Sequence, residues 1–406
     1  MLRLERIEVR VTTENGQVVG SARIRIYPDD ELAYFDLVHL HRRAYNLAIE
    51  WLRSQGRIDF SRQVEIRRNI RNQVREEWEG RKFSSDLADL AVDEAFDTAR
   101  NCIRKWAKGE KAKLRFRSRK DPSCGFAIRR LPKSVPYPKI LGSAHITEPI
   151  PEEAVGSMAR VTRRHGRWYL VVKKFITVRG RENQARTVVS LDPGVRTFVT
   201  AFSPSEAIKY GDGYASERIF PLLQKKDSLI GKRQRLLNIK KKDEDRQWWF
   251  DQMRCVNRRI DRISAKIFDL QEDLHKRVAF DLVSNYDTII CPPFETQQMA
   301  AKEGRKLRKS SVRKMQQLGH YRFQMFLKWM CRKYGNKFVA CSEAYTSKTR
   351  SWDGVIEEKL GGSTTITDGE IVVDRDINGA RGIFLLAHTR QLTPYSDPSR
   401  VTVGTD

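Results

Sequence analysis

The chain has 406 residues, enough for two or three domains and a substantial core. It carries 77 Lys and Arg residues against 51 Asp and Glu, a formal net charge of +26. Positive charges in such excess repel one another and destabilise the folded chain unless a polyanion neutralises them. We therefore expect a nucleic-acid partner. No apolar run reaches the roughly 18 residues of a membrane span, the charged N-terminus does not resemble a signal peptide, and we expect no membrane partner.

Residues 1–28 alternate apolar and polar side chains around the turn sequence Glu-Asn-Gly-Gln, which predicts a β-hairpin. From about residue 34 to residue 109, apolar side chains recur every three or four positions, as in helices. Strand patterns return in 113–180 and end in RWYLVVKKFITV. This order predicts a β-rich module, residues 1–33 and 110–185, that is interrupted by a helical domain at 34–109.

A strongly basic stretch lies within this module, since residues 101–133 hold twelve basic residues and two acids. Its segment KLRFRSRK (113–120) alternates with period two, which predicts a strand with one cationic face suited to phosphate contacts. A solvated basic surface is the alternative. A membrane-surface role is disfavoured because no long amphipathic helix offers the necessary apolar face. The predicted nucleic-acid contacts here are Lys113, Arg115, Arg117, Arg119 and Lys120.

The second half opens near residue 186 with ARTVVSLDPGVRTFVTAFSP, which predicts two apolar strands around a Pro-Gly turn. Residues 214–283 are predicted helical. An apolar stripe with steps of four and three residues is typical of a long amphipathic helix or helical hairpin, and we interpret it as core packing. The stripe comprises Val256, Ile260, Ile263, Ile267, Leu270 and Leu274.

Further elements follow in order. The sequence predicts a strand at 287–291, a basic linker KEGRKLRKSSVRK, a helix at 315–334 and a strand KFVACSE at 337–343. An irregular Gly/Thr-rich stretch comes next, and a last helix opens at DRDINGARGIFLLA. The six cysteines are scattered without a CxxC pair, which argues against a disulfide framework and a thiolate zinc site and favours a reducing compartment.

Three aspartates are candidates for metal chemistry. Asp192 ends a predicted strand before Pro-Gly, and Asp374 and Asp376 begin a predicted helix, where the helix dipole favours anions. Taken singly, each has a plainer interpretation as a turn-forming or helix-capping residue. Together they outline an RNase H-like layout with acids converging on one sheet edge. Such a layout serves phosphodiester hydrolysis with two Mg²⁺ ions, which require hard oxygen ligands.

The residues also carry a family resemblance. SLDPGVRTFVTAFSP (190–204), AYTSKT (344–349) and DRDINGARGI (374–383) resemble the three RuvC-type blocks of the TnpB family, which includes transposon-encoded RNA-guided nucleases and the eukaryotic Fanzor proteins. RIRIYP, YNLAIEW and KLRFRSRKDPSCGFAI are similar to the family's N-terminal wedge and recognition modules. The resemblance implies a mixed α+β chain. Its parts would be a β-barrel-like wedge, a helical recognition domain at 34–109, and an RNase H-like (RuvC) nuclease domain at 186–406 with a helical insertion at about 214–283.

The sequence departs from the family pattern at the zinc ribbon. TnpB proteins usually have the sequence TSKTCSxCG, with one pair of cysteines, and a second CxxC pair before DRD. In this chain Arg350 and Asp353 stand at the positions of the first two cysteines, and the second pair is absent from the region of about 344–373. Arginine and aspartate do not replace two thiolates on Zn²⁺. We therefore expect no zinc, and an Arg350–Asp353 ion pair or packing by Trp352 in its place.

A second departure concerns the middle catalytic acid. The family's second strand block reads roughly IxIEDLxxxxM, and alignment on Met299 puts Pro292 where the glutamate belongs. Either Glu295 or another acid compensates, and we favour Glu343, because its strand is expected to lie beside 287–291 and some TnpB and Fanzor proteins carry a glutamate just before YTSKT. The plainer interpretation of either glutamate is a surface acid.

The resemblance implies an RNA-guided endonuclease that cuts double-stranded DNA beside a short adjacent motif, since base pairing with the guide supplies sequence choice. Its partners would be an omega-type guide RNA and target DNA, in a monomeric ribonucleoprotein. A Fanzor would be nuclear and a prokaryotic TnpB cytoplasmic; the relocated glutamate favours the former. A guided repressor without cleavage and an unguided transposase or resolvase are the alternatives. The expected Mg²⁺ ligands are Asp192, Glu343 and Asp376, with further nucleic-acid contacts at Lys306, Arg308, Lys309, Lys348 and Arg375.

Overall fold

The fold is taken from a computed structural model of the chain. Two compact units are present, Met1–Ile176 and Thr177–Asp406. Both contain helices and strands, which agrees with the mixed α+β class expected from the sequence. None of the described helices is long and apolar enough to cross a bilayer. The structure describes residues 17–56, 58–119, 124–177, 187–239, 246–293, 309–341, 349–356 and 363–389.

The first unit contains a five-stranded sheet with the order β2-β4-β5-β1-β3. Over the described residues this sheet is open, so the expected barrel-like closure is not seen there. The predicted partner strand before residue 17 lies outside the described residues. The strands are β1 (Gln17–Pro28), β2 (Cys124–Ile128), β3 (Ala144–Ile146), β4 (Ala159–Arg164) and β5 (Arg167–Thr177), and the helices are α1 (Glu31–Ser54), α2 (Gln63–Glu77), α3 (Ser85–Ala107) and the short α4 (Pro138–Leu141).

Local sequence accounts for these elements. In β1, Ile24 and Ile26 are both buried while Arg23 and Tyr27 are exposed, as period two requires. Helix α1 is capped by Asp30, whose Oδ1 accepts the Ala33 N–H at 3.0 Å, and α3 is capped in the same way by a serine. The buried Tyr34 of α1 packs edge-on against a tryptophan of β5, which joins the helices to the sheet.

The segment that follows α3 corrects one prediction. Residues 111–119 form no strand. Their alternation reflects one buried anchor, Leu114, and backbone bonds to α1: Asn46 accepts the Arg117 N–H at 2.8 Å and donates to the Arg117 carbonyl at 3.1 Å. The Arg53 guanidinium donates to the Leu114 carbonyl at 3.1 Å. Side chains of α1 thus take the place of a neighbouring strand.

Glu94 of α3 is the centre of an ion cluster. Its two carboxylate oxygens lie 2.7 Å from Arg117 Nη2 and 2.8 Å from Arg160 Nη1. The buried His41 lies beside the same carboxylate, at 3.5 Å. Burial raises the pKa of Glu94, but the contacts with His41 and the two arginines outweigh it and hold that pKa well below its usual value. The cluster ties α1, α3, β4 and the basic segment together.

Replacing Glu94 with glutamine is expected to lower the free energy of unfolding by roughly 3 kcal/mol, because two partly buried arginines lose their counter-charge. Urea denaturation of the purified protein measures this. Glu77→Gln is the matched control: Glu77 pairs with Arg43 at 2.7 Å, but both side chains are more exposed. Its loss should cost less than about 1 kcal/mol. Equal effects of the two variants would contradict the structural role given to Glu94.

The second unit contains a sheet with the order β10-β9-β6-β7-β8. Strands β6, β7 and β8 run antiparallel, while β9 and β10 run parallel to β6, which is the RNase H-like arrangement expected from the sequence. The strands of this unit are β6 (Val188–Pro193), β7 (Val199–Phe202), β8 (Ala207–Tyr210), β9 (Thr288–Ile290), β10 (Lys337–Val339), β11 (Thr365–Asp368) and β12 (Ile371–Asp374), and the helices are α5 (Phe220–Asn238), α6 (Arg246–Asn285), α7 (Lys309–Leu318), α8 (His320–Tyr334) and α9 (Arg375–Thr389).

The predicted helical insertion is confirmed over the described residues. A π-helical turn at Ala215–Ile219 leads into α5, and α6 continues for 40 residues. The apolar stripe faces inward: Val256 and Ile260 pack with Leu236 of α5, and Ile267 and Leu274 join the core beneath the sheet. The stripe therefore serves packing, as predicted.

Two predictions in the last third are wrong. The expected single helix at 315–334 consists of α7 and α8, separated by Gly319 with φ of 64°, and α7 begins inside the predicted basic linker, at Lys309. Side chains larger than glycine rarely adopt such a φ. The expected irregular stretch contains a hairpin of β11 and β12, turned at Gly369 with φ of 57°. Short Thr-rich strands carry little apolar signal by themselves.

Beneath the turn that follows β6, a cluster of rings fills the core. The buried Phe198 stacks between His275 and His320, with centroid distances of 5.3 and 5.0 Å. His275 Nε2 donates to the Leu318 carbonyl at 2.8 Å. Burial is the main cause that lowers the pKa of His275 to about 4 and that of His320 to about 3. Both histidines are neutral at pH 7.

Stability should therefore fall on mild acidification. Below about pH 6.5 the unfolded chain protonates both histidines while the folded chain does not until about pH 4, so the free energy of unfolding should drop by about 1.4 kcal/mol per pH unit for each histidine in this window. Urea titrations between pH 7 and pH 5 measure this slope. His275→Phe, which keeps the stacked ring, should reduce the slope, and an unchanged slope would contradict the assignment.

Candidate active site

Asp192 lies at the carboxyl end of β6 and faces α9. Val189 and Leu191 point into the buried core, so Ser190 and Asp192 share the opposite face. Ser190 Oγ donates to the Ala380 carbonyl of α9 at 2.7 Å. A Cβ added to Gly379 would collide with the Asp192 carboxylate. The carboxylate therefore lies directly against α9, and only glycine at position 379 leaves it that room.

Asp374 ends β12 directly before α9 and acts as the cap of that helix. Its Oδ1 accepts the N–H groups of Asp376 at 2.9 Å and Ile377 at 3.3 Å, and its Oδ2 pairs with Lys209 of β8. Burial raises the pKa of Asp374, but Lys209 and the two N–H donors outweigh it and lower the pKa below its usual value. These contacts are those of a helix-capping residue.

Asp376 lies in the first turn of α9, three residues before Gly379, and is thus on the side of the helix that approaches Asp192. Its Oδ2 lies 2.7 Å from Arg196 Nη2 and 3.1 Å from the Thr197 hydroxyl. That hydroxyl also lies 2.8 Å from Asp212 Oδ1.

Arg196, Thr197, Asp212 and Lys209 form the surroundings of the paired aspartates and were not predicted. Arg196 and Thr197 follow Asp192 by four and five residues, in the turn DPGVRT, which is the only sequence signal they offer. Asp212 and Lys209 lie at β8 and the turn after it. The contacts of Lys209, Arg196 and Thr197 with residues 374–376 join positions more than 160 residues apart, which a local pattern does not show.

The neighbouring strands β9 and β10 run parallel to β6 and end at the same edge of the sheet. Ser190 of β6 is in register with Ile290 of β9, and Ile290 with Val339 of β10. The expectation that KFVACSE lies beside 287–291 is thereby confirmed for its first three residues, Lys337–Val339. Two residues further along, Pro292 comes level with Asp192. Glu295 and Glu343 themselves lie outside the described residues.

Pro292 is held in place by its neighbours. It is buried, and its carbonyl accepts a bond from Gln324 Nε2 of α8 at 3.3 Å. The preceding Cys291 N–H donates to the Val339 carbonyl at 2.9 Å. The strand end is therefore held by backbone bonds, and its side chain carries no donor for a metal.

The expected Arg350–Asp353 ion pair is present. Arg350 Nη1 lies 3.3 Å from Asp353 Oδ2 and 2.8 Å from Asp368 Oδ2 of β11, and Trp352 Nε1 lies 3.5 Å from the same Asp368 oxygen. These polar contacts link the loop 349–356 to the hairpin where the family has two cysteine pairs.

The buried Asn378 fastens this loop to α9. Its amide donates to the Thr349 carbonyl at 2.9 Å, and its Oδ1 accepts the Ser351 N–H at 2.8 Å. The asparagine of DRDINGA thus orients the chain that follows AYTSKT relative to the helix that carries Asp376.

The absence of zinc stays a prediction. Elemental analysis of the purified protein should find far less than one zinc per chain, and prolonged chelation should leave its melting temperature unchanged, because a charged side-chain cluster holds the loop. Asp368→Ala, which removes one carboxylate from Arg350, is expected to lower the melting temperature instead. About one zinc per chain would contradict the prediction.

The donor set fits a hard divalent cation. Asp192 and Asp376 offer carboxylate oxygens, the ligands Mg²⁺ requires, and a cation, the Arg196 guanidinium, is already held on Asp376. Over the described residues, no group of three or more His, Cys, Asp or Glu side chains is close enough to hold a metal together. The third expected ligand, Glu343, is outside those residues.

The predicted nucleic-acid contacts differ in their surroundings. Lys113, Arg115 and Arg119 are exposed, whereas Arg117 points inward to Glu94 and its guanidinium lies 3.7 Å from the centroid of the Tyr45 ring. Lys309 is exposed at the start of α7, and Arg375 lies 3.5 Å from the Ser363 carbonyl. The remaining predicted contacts fall outside the described residues: Lys120, Lys306, Arg308 and Lys348.

The RNase H-like sheet, with one aspartate at the end of its first strand and another in the first turn of the last helix, defines a RuvC-like domain. Comparisons with known proteins agree. Residues 320–383 match the family model described as Cas12f1-like, TNB domain. A solved structure, described as the cryo-EM structure of the Cas12f1-sgRNA-target DNA complex, matches with a TM-score of 0.50 and 11% identity, over 87% of this chain and 82% of that one.

Two viral relatives extend the comparison. A TnpB-like protein of Acanthamoeba polyphaga mimivirus is 26% identical over 224 residues, 53% of this chain and 40% of its own length. A protein of Paramecium bursaria Chlorella virus 1, named as a candidate transposase, is 28% identical over 226 residues, 54% of this chain and 48% of its own length. The chain therefore spans less than half of either relative. Over about half of its own length the chain is thus similar to TnpB-like proteins.

Proposed function

We propose that this protein is an RNA-guided endonuclease that cleaves double-stranded DNA beside a short adjacent motif, with Mg²⁺ held by Asp192, Asp376 and Glu343. The observation that carries the proposal is the approach of two acids from distant parts of the chain. The Asp192 carboxylate lies against Gly379, one turn from Asp376 on the same helix. In two-metal hydrolysis, such carboxylates position cations that stabilise the attacking and leaving oxygens.

The charge distribution supports nucleic-acid partners. The formal net charge is +26, and Lys113, Arg115 and Arg119 are exposed along one segment of the first unit. A guided enzyme grips the backbone of a guide–target heteroduplex and needs no base-reading motif of its own. We propose that the first unit contributes to holding an omega-type guide RNA in a monomeric ribonucleoprotein.

We further propose the Fanzor type, with a nuclear location, because Pro292 occupies the family's glutamate position and Glu343 stands just before YTSKT. The same proline supports the second candidate function, a guided DNA-binding repressor without cleavage. That candidate is disfavoured by the retained Asp192 and Asp376 and by Gly379, which still leaves room for the Asp192 carboxylate.

The test begins with sequencing of RNA that co-purifies with the full chain. One discrete RNA with a variable end is expected, and random RNA would contradict guiding. The complex is then incubated with Mg²⁺ and duplex DNA that matches the variable end, beside a randomised library of adjacent motifs. Cleavage of matched DNA alone supports the endonuclease. Binding without cleavage supports the repressor, and cleavage that ignores the RNA supports the transposase or resolvase.

A further inference from the structure

The turn after β6 presents one arginine to the proposed metal ligands. Arg196 Nη2 lies 2.7 Å from Asp376 Oδ2 and 3.7 Å from Asp374 Oδ2. Its backbone is fixed, because the Gly213 N–H donates to the Arg196 carbonyl at 3.1 Å. Its side chain is 41% exposed, and contact with Asp376 raises its pKa above the usual value. A firmly anchored residue thus carries a solvent-accessible cation.

This contact and a metal bond compete for one oxygen. A Mg²⁺ ion bound to Asp376 Oδ2 would sit about 2.1 Å from that oxygen. The guanidinium nitrogen is 2.7 Å from the same atom, so the two cations would lie within roughly 5 Å of each other. Their repulsion in a partly buried site favours one occupant at a time.

We propose that Arg196 has two successive partners. Its guanidinium pairs with Asp376 until a divalent cation displaces the guanidinium from that carboxylate, and Arg196 then binds the scissile phosphate of the substrate. This rests on the proposed function, because it assumes that Asp376 is a metal ligand. A guanidinium pairs with two phosphate oxygens as readily as with a carboxylate, so the same side chain serves both partners.

Lys209 shows what a purely structural cation looks like here. It pairs with Asp374, the helix cap, and is less exposed than Arg196, at 26% against 41%. Asp374 also accepts two backbone bonds. Lys209 thus neutralises an acid already committed to the helix, whereas Arg196 contacts the acid proposed to hold the cation.

The test measures Mn²⁺ binding to the purified full chain by electron paramagnetic resonance, without added nucleic acid. Arg196→Gln is expected to bind Mn²⁺ about tenfold more tightly than the wild type, because a competing charge has gone. Arg313→Gln is the matched control, since Arg313 is 38% exposed and pairs with Asp227, a different carboxylate. Its Mn²⁺ affinity should equal the wild-type value. Arg196→Lys should also stay close to wild type.

Cleavage at saturating Mg²⁺ supplies the second measurement. Arg196→Gln should cut matched DNA at least about tenfold more slowly despite its tighter metal binding, and Arg196→Lys should recover part of the rate. Replacement of a residue with a merely structural role would not raise the metal affinity while it lowers the cleavage rate. Unchanged Mn²⁺ affinity in Arg196→Gln overturns the competition, and an unchanged rate overturns the phosphate contact.

The outcomes also separate this inference from the proposed function. If Arg196→Gln tightens Mn²⁺ binding but no discrete RNA co-purifies, guided cleavage fails and the competition stands. If RNA-guided cleavage is observed but Asp376→Asn leaves Mn²⁺ affinity unchanged, the assignment of Asp376 fails and the inference with it. Absence of Mn²⁺ binding in wild type and Arg196→Gln alike overturns the inference too.

Discussion

Asp376→Asn should reduce cleavage of matched DNA by more than about a thousandfold. An amide supplies one neutral oxygen where the carboxylate supplies a charged one, so the cation loses both a strong ligand and its charge compensation. A thousandfold loss corresponds to about 4 kcal/mol of transition-state stabilisation, which is reasonable for a group that binds metal directly. Asp192→Asn should have an effect of the same size, since its carboxylate faces the same helix.

Single-turnover cleavage by the protein–RNA complex measures this loss, and the yield of co-purified RNA checks that each variant is folded and loaded. Asp374→Asn is the matched control, because Asp374 stands two residues away and acts as the cap of α9. Asparagine is also a good cap, so this variant should keep its cleavage rate within about tenfold. If the Asp376→Asn variant cleaves quickly, or if the Asp374→Asn variant cleaves more slowly than the Asp376→Asn variant, the roles given to these two residues would have to be exchanged.

Much of the second unit follows from its sequence because its elements have strong local patterns. The strands around DPG are apolar on both sides of a turn, and the helix of DRDINGA opens with capping residues. The middle strands are short, but their parallel order is fixed by the crossover helices between them. Local patterns of this kind predicted Asp192, Asp374 and Asp376 as acids of one sheet edge, and the family resemblance singled out Asp376 from the last two.

The segment 113–119 shows why local pattern can mislead. Period two indicates a strand only where another strand accepts the backbone bonds. Here Asn46 and Arg53 of α1 make hydrogen bonds to the backbone of this segment in place of a strand. The single buried Leu114 accounts for the alternation. Nothing in KLRFRSRK itself distinguishes the two outcomes.

The surroundings of the site escaped prediction for a different reason. Arg196 and Thr197 look like ordinary polar turn residues, and their importance depends on the arrival of Asp376, 180 residues later in the chain. Asp212 likewise becomes part of the site only through Thr197. The order of the strands in the sheet brings these residues together, so their contacts become evident only when that order is known.

The sheet order also bears on the middle acid. Strand β9 lies between β6 and β10, so an acid at Pro292 would be adjacent to Asp192, whereas one after β10 must reach across β9. A proline at the end of β9 presents no long side chain in that path. Under the proposed function, a proline at position 292 and a metal-binding glutamate at position 343 are therefore expected to occur together.

On this basis Glu343→Ala should lower cleavage of matched DNA by at least about a hundredfold, while Glu295→Ala should stay within about threefold of the wild type. Pro292→Glu, introduced into Glu343→Ala, should restore about a tenth or more of the lost rate, because the register brings position 292 level with Asp192. Single-turnover cleavage and Mn²⁺ affinity measure the three variants. Loss of cleavage in Glu295→Ala, with Glu343→Ala still active, would assign the middle acid to Glu295. Failure of Pro292→Glu to raise either quantity would contradict this pairing of positions 292 and 343, since a glutamate at the end of β9 would then lie outside the reach of the cation.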